Sequence, residues 1–151
     1  MRYWLMKSEP SDCSVDDAAA APDATVPWVG VRNFQARNFM KKEMAVGDGV
    51  LFYHSSCPEP GIVGIAEVAS APSVDATQFD PKSDYYDPAS KREAPRWFNV
   101  DVRALKKTRS VSLPEMRKQK QLKNMVTLRV SPPSEGGLLE LTIFSMTAGA
   151  R

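Results

Sequence analysis

Residue types able to do covalent chemistry are few in this chain, and their spacing suits it poorly. His54 is the one histidine; Ser55 and Ser56 follow it directly and Cys57 stands three residues on. Adjacent residues of a strand point to opposite faces and no Gly-x-Ser-x-Gly elbow is present, which disfavours a serine hydrolase. A Cys57 nucleophile with His54 as its base is the pairing that the spacing permits, and it requires an electropositive pocket around the thiol. Zinc sites take several His or Cys at close spacing, whereas Cys13, His54 and Cys57 fit no ligand pattern, so no metal is expected. Gly61-Ile-Val-Gly64 lacks the spacing and the lysine of a phosphate-cradling loop, which speaks against nucleotide hydrolysis. The chain reads as a protein without a cofactor and not as an enzyme.

Binding chemistry is better represented. All three tryptophans have polar neighbours: Trp4 precedes Lys7-Ser8, Trp28 precedes Gly30-Val-Arg-Asn33, and Trp97 follows Arg96. An indole face stacks on a flat conjugated ligand while amide and guanidinium groups read its edge. The plainer alternative is three core tryptophans, since large aromatics bury about 150–250 Å² each. Net charge is only +2, but its distribution is uneven. Five acids and no base lie between Glu9 and Asp23, and eight bases against Glu115 alone lie between Arg103 and Lys123. Arg32, Arg37, Lys41 and Lys42 form a second basic cluster opposed by Glu43. Phosphate is the natural partner of two such clusters on one face, and a solvated helix and strand end is the alternative.

The elements that must position these residues are short. At 151 residues, with 42% hydrophobic and 25% charged, the chain predicts one folded domain over 1–151. Its longest apolar stretches, 61–68 and 138–144, fall far below the roughly 20 residues of a membrane span. One early cation, Arg2, followed by Glu9, Asp12, Asp16 and Asp17, resembles neither a signal nor a transit peptide, so residence in cytoplasm or nucleus is expected, with Cys13 and Cys57 as free thiols. Residues 3–7 predict a first strand that ends at Pro10. Ser14 and Asp17 have capping-box spacing for a short helix to Ala21. A partial helical stripe runs over 31–40. Residues 50–54 predict a buried strand and 62–68 its antiparallel neighbour, bent at Gly64. Residues 70–95 show no period and predict a long loop, of a size usually tied to function. Strict alternation predicts a strand over 97–103. Ser112 and Glu115 suggest another capped helix to 118, 125–130 is compatible with a strand, and 138–144 fits a strand or a short helix. The sum is an α+β domain on a curved or closed sheet.

Read in order, Tyr3-Trp-Leu-Met-Lys-Ser-Glu-Pro10, Trp28-Val-Gly-Val-Arg-Asn-Phe-Gln-Ala-Arg-Asn-Phe-Met40, Gly47-Asp-Gly-Val-Leu-Phe-Tyr-His-Ser55, Gly61-Ile-Val-Gly-Ile-Ala-Glu-Val68, Tyr85-Tyr-Asp-Pro88 and Pro95-Arg-Trp97 resemble the successive signature blocks of the EVE domain, as in the thymocyte nuclear protein family. The resemblance runs from residue 3 to about residue 128. It implies a pseudouridine-synthase-and-archaeosine-transglycosylase (PUA)-like α+β fold, a small β-barrel of about five to six strands with peripheral short helices, related to YTH domains. It also implies a non-catalytic nucleic-acid reader that flips out a modified base, notably a modified cytosine in DNA, into an aromatic pocket. By matching positions, Lys7 and Ser8 would stand at the pocket edge and Trp28 would stack on the base. Asn33 would bond a base edge, Tyr53, His54 and Ser55 would reach in from a strand end, and Tyr86 and Trp97 would close the pocket. Arg32, Arg37, Arg96, Lys106 and Lys107, with the rest of the 103–123 segment, would hold phosphates. This scheme expects the Trp28 indole to be partly uncovered, as the floor of a slot for one base. Residues 128–133 and 136–151 depart from the family's C-terminal pattern. Three rival readings stay open: an RNA module for a modified ribonucleotide, a small-substrate enzyme using His54 with Cys57 or Ser55, and a scaffold whose basic segment binds an acidic protein. For His54 itself the alternative is a structural histidine with a satisfied ring.

Overall fold

The computed structural model describes residues 2–55, 57–112, 114–115, 118 and 139–144, the last six by their backbone. Six strands form one mixed sheet in the order β2 (Thr25–Pro27), β7 (Asp101–Ser112), β4 (Gly61–Val68), β3 (Gly49–His54), β1 (Tyr3–Ser8) and β8 (Leu139–Phe144). β1 and β3 run parallel and every other pair of this sheet is antiparallel. A parallel pair needs a crossover, and the chain between them supplies it with helices α1 (Val15–Ala20) and α2 (Phe34–Lys42). β5 (Ser73–Val74) and β6 (Phe98–Asn99) make a separate two-stranded ribbon.

Alternation along the strands divides the apolar residues between two faces. One face carries Trp4, Met6, Val50, Phe52, Ala66, Val68 and Val102, covered by Val15 and Ala18 of α1, Ala36 and Met40 of α2, and Trp28 and Val31. The opposite face carries a smaller cluster of Leu5, Tyr53 and Ile62, packed against Tyr3, Leu51 and Val111. Register slips between Phe52 and Tyr53 and on both sides of Gly64 bend the sheet around the larger core. Glycine at 64 is what the bend requires, because a Cβ there would sit 2.8 Å from Val15 Cγ2 and 3.0 Å from the Lys106 carbonyl oxygen. The result is an α+β curled half-barrel in which β2 and β8 are the outermost strands among the described residues.

The local expectations fare differently. Ser14 and Asp17 form the reciprocal capping box of α1. α2 starts at Phe34, three residues later than its apolar stripe suggests, because the Asn33 side chain accepts the Ala36 N–H and defines the helix start. The strand expected over 97–103 is two strands, with Val100 between them, and β7 runs on to Ser112. Residues 139–144 are a strand, paired with β1. The 70–95 loop contains β5 and a 3-10 turn, Ala76–Phe79. Ser112 Oγ accepts the Glu115 N–H at 3.3 Å, as a cap would; the rest of that helix and the strand at 125–130 lie outside the described residues.

Candidate functional site

The parallel ends of β1 and β3 place Ser8 beside His54 and fix both internally. Ser8 is fully buried and its hydroxyl donates to the Cys13 carbonyl. The Ser55 N–H donates to the Ser8 carbonyl at 2.9 Å. His54 Nε2 accepts the Val15 N–H at 3.0 Å, so the imidazole caps the first turn of α1 as a neutral ring protonated on Nδ1. Burial holds its pKa below 6.5; Asp16 and Asp17 pull upward and Lys107 downward. With Nε2 held by a backbone amide, the ring is a structural histidine, which removes the geometric basis for His54 as a general base acting through that nitrogen.

Trp28 corrects the expectation of an uncovered indole. It is 1% exposed, its N–H donates to the Val100 carbonyl from the backbone, and its ring meets the edge of Phe52 at 5.1 Å and 81°. The physical reason is the curl of the sheet, which brings the segment after β2 over Phe52 and makes Trp28 part of the larger core. Its Nε1 is nevertheless buried without an acceptor among the described residues. Trp4, by contrast, gives its Nε1 hydrogen to Asp48 at 3.0 Å. Phe52 also meets His54 edge-on at 5.8 Å, so Trp28, Phe52 and His54 form one aromatic row on the core face. Lys7 and Tyr53 belong to the other face of the sheet, with the Lys7 Nζ 6.0 Å from the Tyr53 ring centre. The strand-end residues expected around one pocket are therefore divided by the sheet itself.

A second assembly organises the long loop. Asp75, fully buried, accepts the Gly30 N–H, the Thr77 N–H and the Arg32 Nη1, each at 2.9 Å. Arg32 also donates to the carbonyls of Val31 and Tyr85 and to Thr77 Oγ1, which uses all five guanidinium N–H groups. It is a loop clamp, and the expected phosphate role is corrected on that ground. Gly30 has φ +86°, and a Cβ there would lie 2.5 Å from the Tyr85 ring. The Tyr85 hydroxyl donates to Asp12; burial and then that carboxylate push its pKa far up. Gln78, also fully buried, bridges the Asp75 and Trp97 carbonyls and accepts the Trp97 N–H and the Ser90 hydroxyl. Trp97 is 5% exposed and donates Nε1 to Asp87 at 2.7 Å. Tyr86 nearby in sequence is exposed.

The outer surface of α2 meets this loop. Phe34 stacks on Trp97 at 4.8 Å and 26° and remains 53% exposed. Arg37 lies over Phe34 at 4.8 Å and donates to the Arg96 carbonyl at 2.9 Å. Asn33 is exposed, with its oxygen occupied as the helix cap and its amide hydrogens without a partner among the described residues. The basic strand β7 is different, because acids neutralise much of it. Arg103 pairs with Glu67 and Asp23, Lys107 with Asp16, and Arg109 with Glu115, while Lys106 is exposed without an ion pair among the described residues. Arg117, Lys120 and Lys123 lie outside them.

Sequence reasoning missed Asp75, Gln78 and Phe34. Asp75 carried a signal, since Asp two residues before Thr77 has the spacing of a cap accepting a backbone N–H. Gln78 carried none. Phe34 belongs to the partial helical stripe over 31–40, whose pattern does not tell an exposed ring from a buried one. Among the described residues no group of His, Cys, Asp and Glu is placed to hold a metal, and no helix is long and apolar enough to cross a membrane.

Comparison with known proteins places these features in context. The EVE domain family model matches residues 2–136. Thymocyte nuclear protein 1 of Danio rerio is 46% identical over 125 residues, covering 76% of this chain and 54% of the relative. The chain spans about half the length of such curated relatives. The crystal structure of human THYN1 protein in complex with 5-methylcytosine-containing DNA is similar with a TM-score of 0.82 and 36% identity, covering 94% of this chain and 91% of that one. A YTH domain of Zygosaccharomyces rouxii, in complex with N6-methyladenosine RNA, has a TM-score of 0.50 at 13% identity over 99% of this chain and 81% of that one, which is a likeness of fold.

Proposed function

This chain belongs to the EVE domain family, and from that premise we propose that it is a non-catalytic reader of a modified base in DNA, with 5-methylcytosine as the first candidate. The observation that carries the reading is the Trp28 indole, buried in an aromatic row with an N–H that has no acceptor among the described residues. A buried polar hydrogen left unpaired is unfavourable by about 1–3 kcal/mol, and the carbonyl or ring nitrogen of a pyrimidine edge satisfies it. Support from outside the chain is the human protein held with methylated DNA, whose fold this chain shares at 36% identity.

The site is closed over Trp28, so binding proceeds from the fraction of molecules in which the ring is uncovered, and the apparent affinity is lowered by that fraction. Extruding a base costs a few kcal/mol, which stacking of about 1–3 kcal/mol and phosphate contacts offset. Burying one methyl group adds about 0.8 kcal/mol, so preference for methylated over plain cytosine is about fourfold unless a displaced water or a clash sharpens it. The test is titration of matched duplexes carrying 5-methylcytosine or cytosine, with a matched RNA, against wild type and Trp28→Phe. The expected result is that wild type prefers the methylated duplex and that Trp28→Phe binds both duplexes more weakly than wild type does. Equal affinity of wild type for both duplexes overturns the reading.

A further inference from the structure

We propose that the outer face of α2, with the segment around Trp97, is a docking surface for an unpaired nucleic-acid strand, on which Phe34 is the base-stacking platform and Arg37, Lys41 and Arg96 hold the phosphates. The inference rests on the preceding reading only in taking nucleic acid as the partner; it requires neither a flipped nor a modified base.

Phe34, Arg37 and Lys41 are spaced i, i+3 and i+7 and share one helix face, turned away from the buried Ala36 and Met40 by about 110°. Trp97, held in turn by Asp87, stacks on one face of Phe34 and the Arg37 guanidinium lies over the ring at 4.8 Å, so a base stacks on Phe34 by displacing that guanidinium onto a phosphate. More than half of the Phe34 side chain nevertheless faces water. Arg37 and Lys41 have no carboxylate partner among the described residues and lie over the rings of Phe34 and Phe98, at 4.8 and 4.6 Å. Arg96 is half exposed and reaches Asp87 only at 3.9 Å. Arg37 uses three of its five N–H groups internally and has two left for an anion. Arg37 and Lys41 are about 6 Å apart along the helix axis, one turn.

A stacking ring flanked by cations, of which Arg37 and Lys41 have no carboxylate partner among the described residues, is how sequence-tolerant proteins hold a single strand, since every base offers a π-face and every nucleotide a phosphate. An acidic peptide would meet the charges and leave the ring without a flat partner. β7, richer in bases along the sequence, is the weaker candidate because its arginines and Lys107 already face acids.

The experiment is fluorescence anisotropy with a labelled oligothymidine, read at several salt concentrations, for wild type, Phe34→Ala and the double variant Arg37→Gln/Lys41→Gln, each checked for folding by its thermal transition. Oligothymidine contains no cytosine, so the outcome is independent of whether methylcytosine is read in duplexes. Wild type binds it, Phe34→Ala binds about five- to 150-fold more weakly, and the double variant lowers the slope of log affinity against log salt by about 1.4. Absence of binding by wild type overturns the proposal. So does unchanged affinity and salt slope in the folded double variant, which also decides the case should Phe34→Ala not fold.

Discussion

His54 and Val15, on different elements and 39 residues apart, are joined by a hydrogen bond in which the imidazole Nε2 accepts the amide hydrogen at 3.0 Å. The contact ties the start of α1 to the end of β3, and it exists only while that nitrogen carries no proton.

The first prediction follows from that condition. Burial, the largest influence, holds His54 below its ordinary 6.5, with Asp16 and Asp17 opposing and Lys107 assisting. The unfolded chain therefore takes up this proton at a higher pH than the folded protein does. The stability this contact contributes is present in full above pH 6.5 and declines as the pH falls below that value. Because His54 is the one histidine, NMR titration of the imidazole reports it without ambiguity. Urea unfolding at pH 7.5 and 5.5 should show the lower stability at 5.5, with the difference reduced in His54→Gln. An imidazole that titrates at or above 6.5 contradicts the arrangement.

The second prediction concerns Arg32 and Asp75, whose 2.9 Å ion pair has a fully buried carboxylate. Removing one partner strands the other among committed groups, so Asp75→Ala should destabilise by about 3–5 kcal/mol in chemical denaturation. Arg32→Lys should recover little, since a single ammonium cannot reach Val31, Thr77, Tyr85 and Asp75 together. Wild-type stability in Arg32→Lys would show that the fork of contacts is dispensable.

What the chain disclosed in advance depended on the range of the interaction. Ser14 with Asp17 gave the cap of α1, and the apolar run at 50–54 gave β3, because both signals are local. The resemblance of successive blocks gave the family and the fold. The depth of Trp28 was not legible, because the curl that buries it arises from slips at Phe52 and Gly64 in strands it does not belong to. The state of the arginines was hidden for the same reason. Arg32 and Arg37 sit five residues apart in one basic cluster, yet Arg32 is consumed by Asp75, 43 residues away, and Arg37 meets no acid among the described residues. Density of charge along a sequence does not report neutralisation by distant acids, as Arg103 with Asp23 and Glu67 also shows.

The last prediction separates two roles of Trp28 that a truncation would confound. Trp28→Ala empties a large part of the core and should destabilise by about 3–5 kcal/mol, so any loss of binding in that variant says nothing specific. Trp28→Phe keeps most of the contact with Phe52 and removes the N–H that has no acceptor among the described residues. The lost packing is then offset in part by relief of an unpaired buried hydrogen worth about 1–3 kcal/mol. Trp28→Phe should therefore be markedly more stable than Trp28→Ala in urea unfolding. A phenylalanine variant as unstable as the alanine variant means that removing the indole hydrogen brings no relief, so that hydrogen is satisfied within the folded protein and is not left for a base edge.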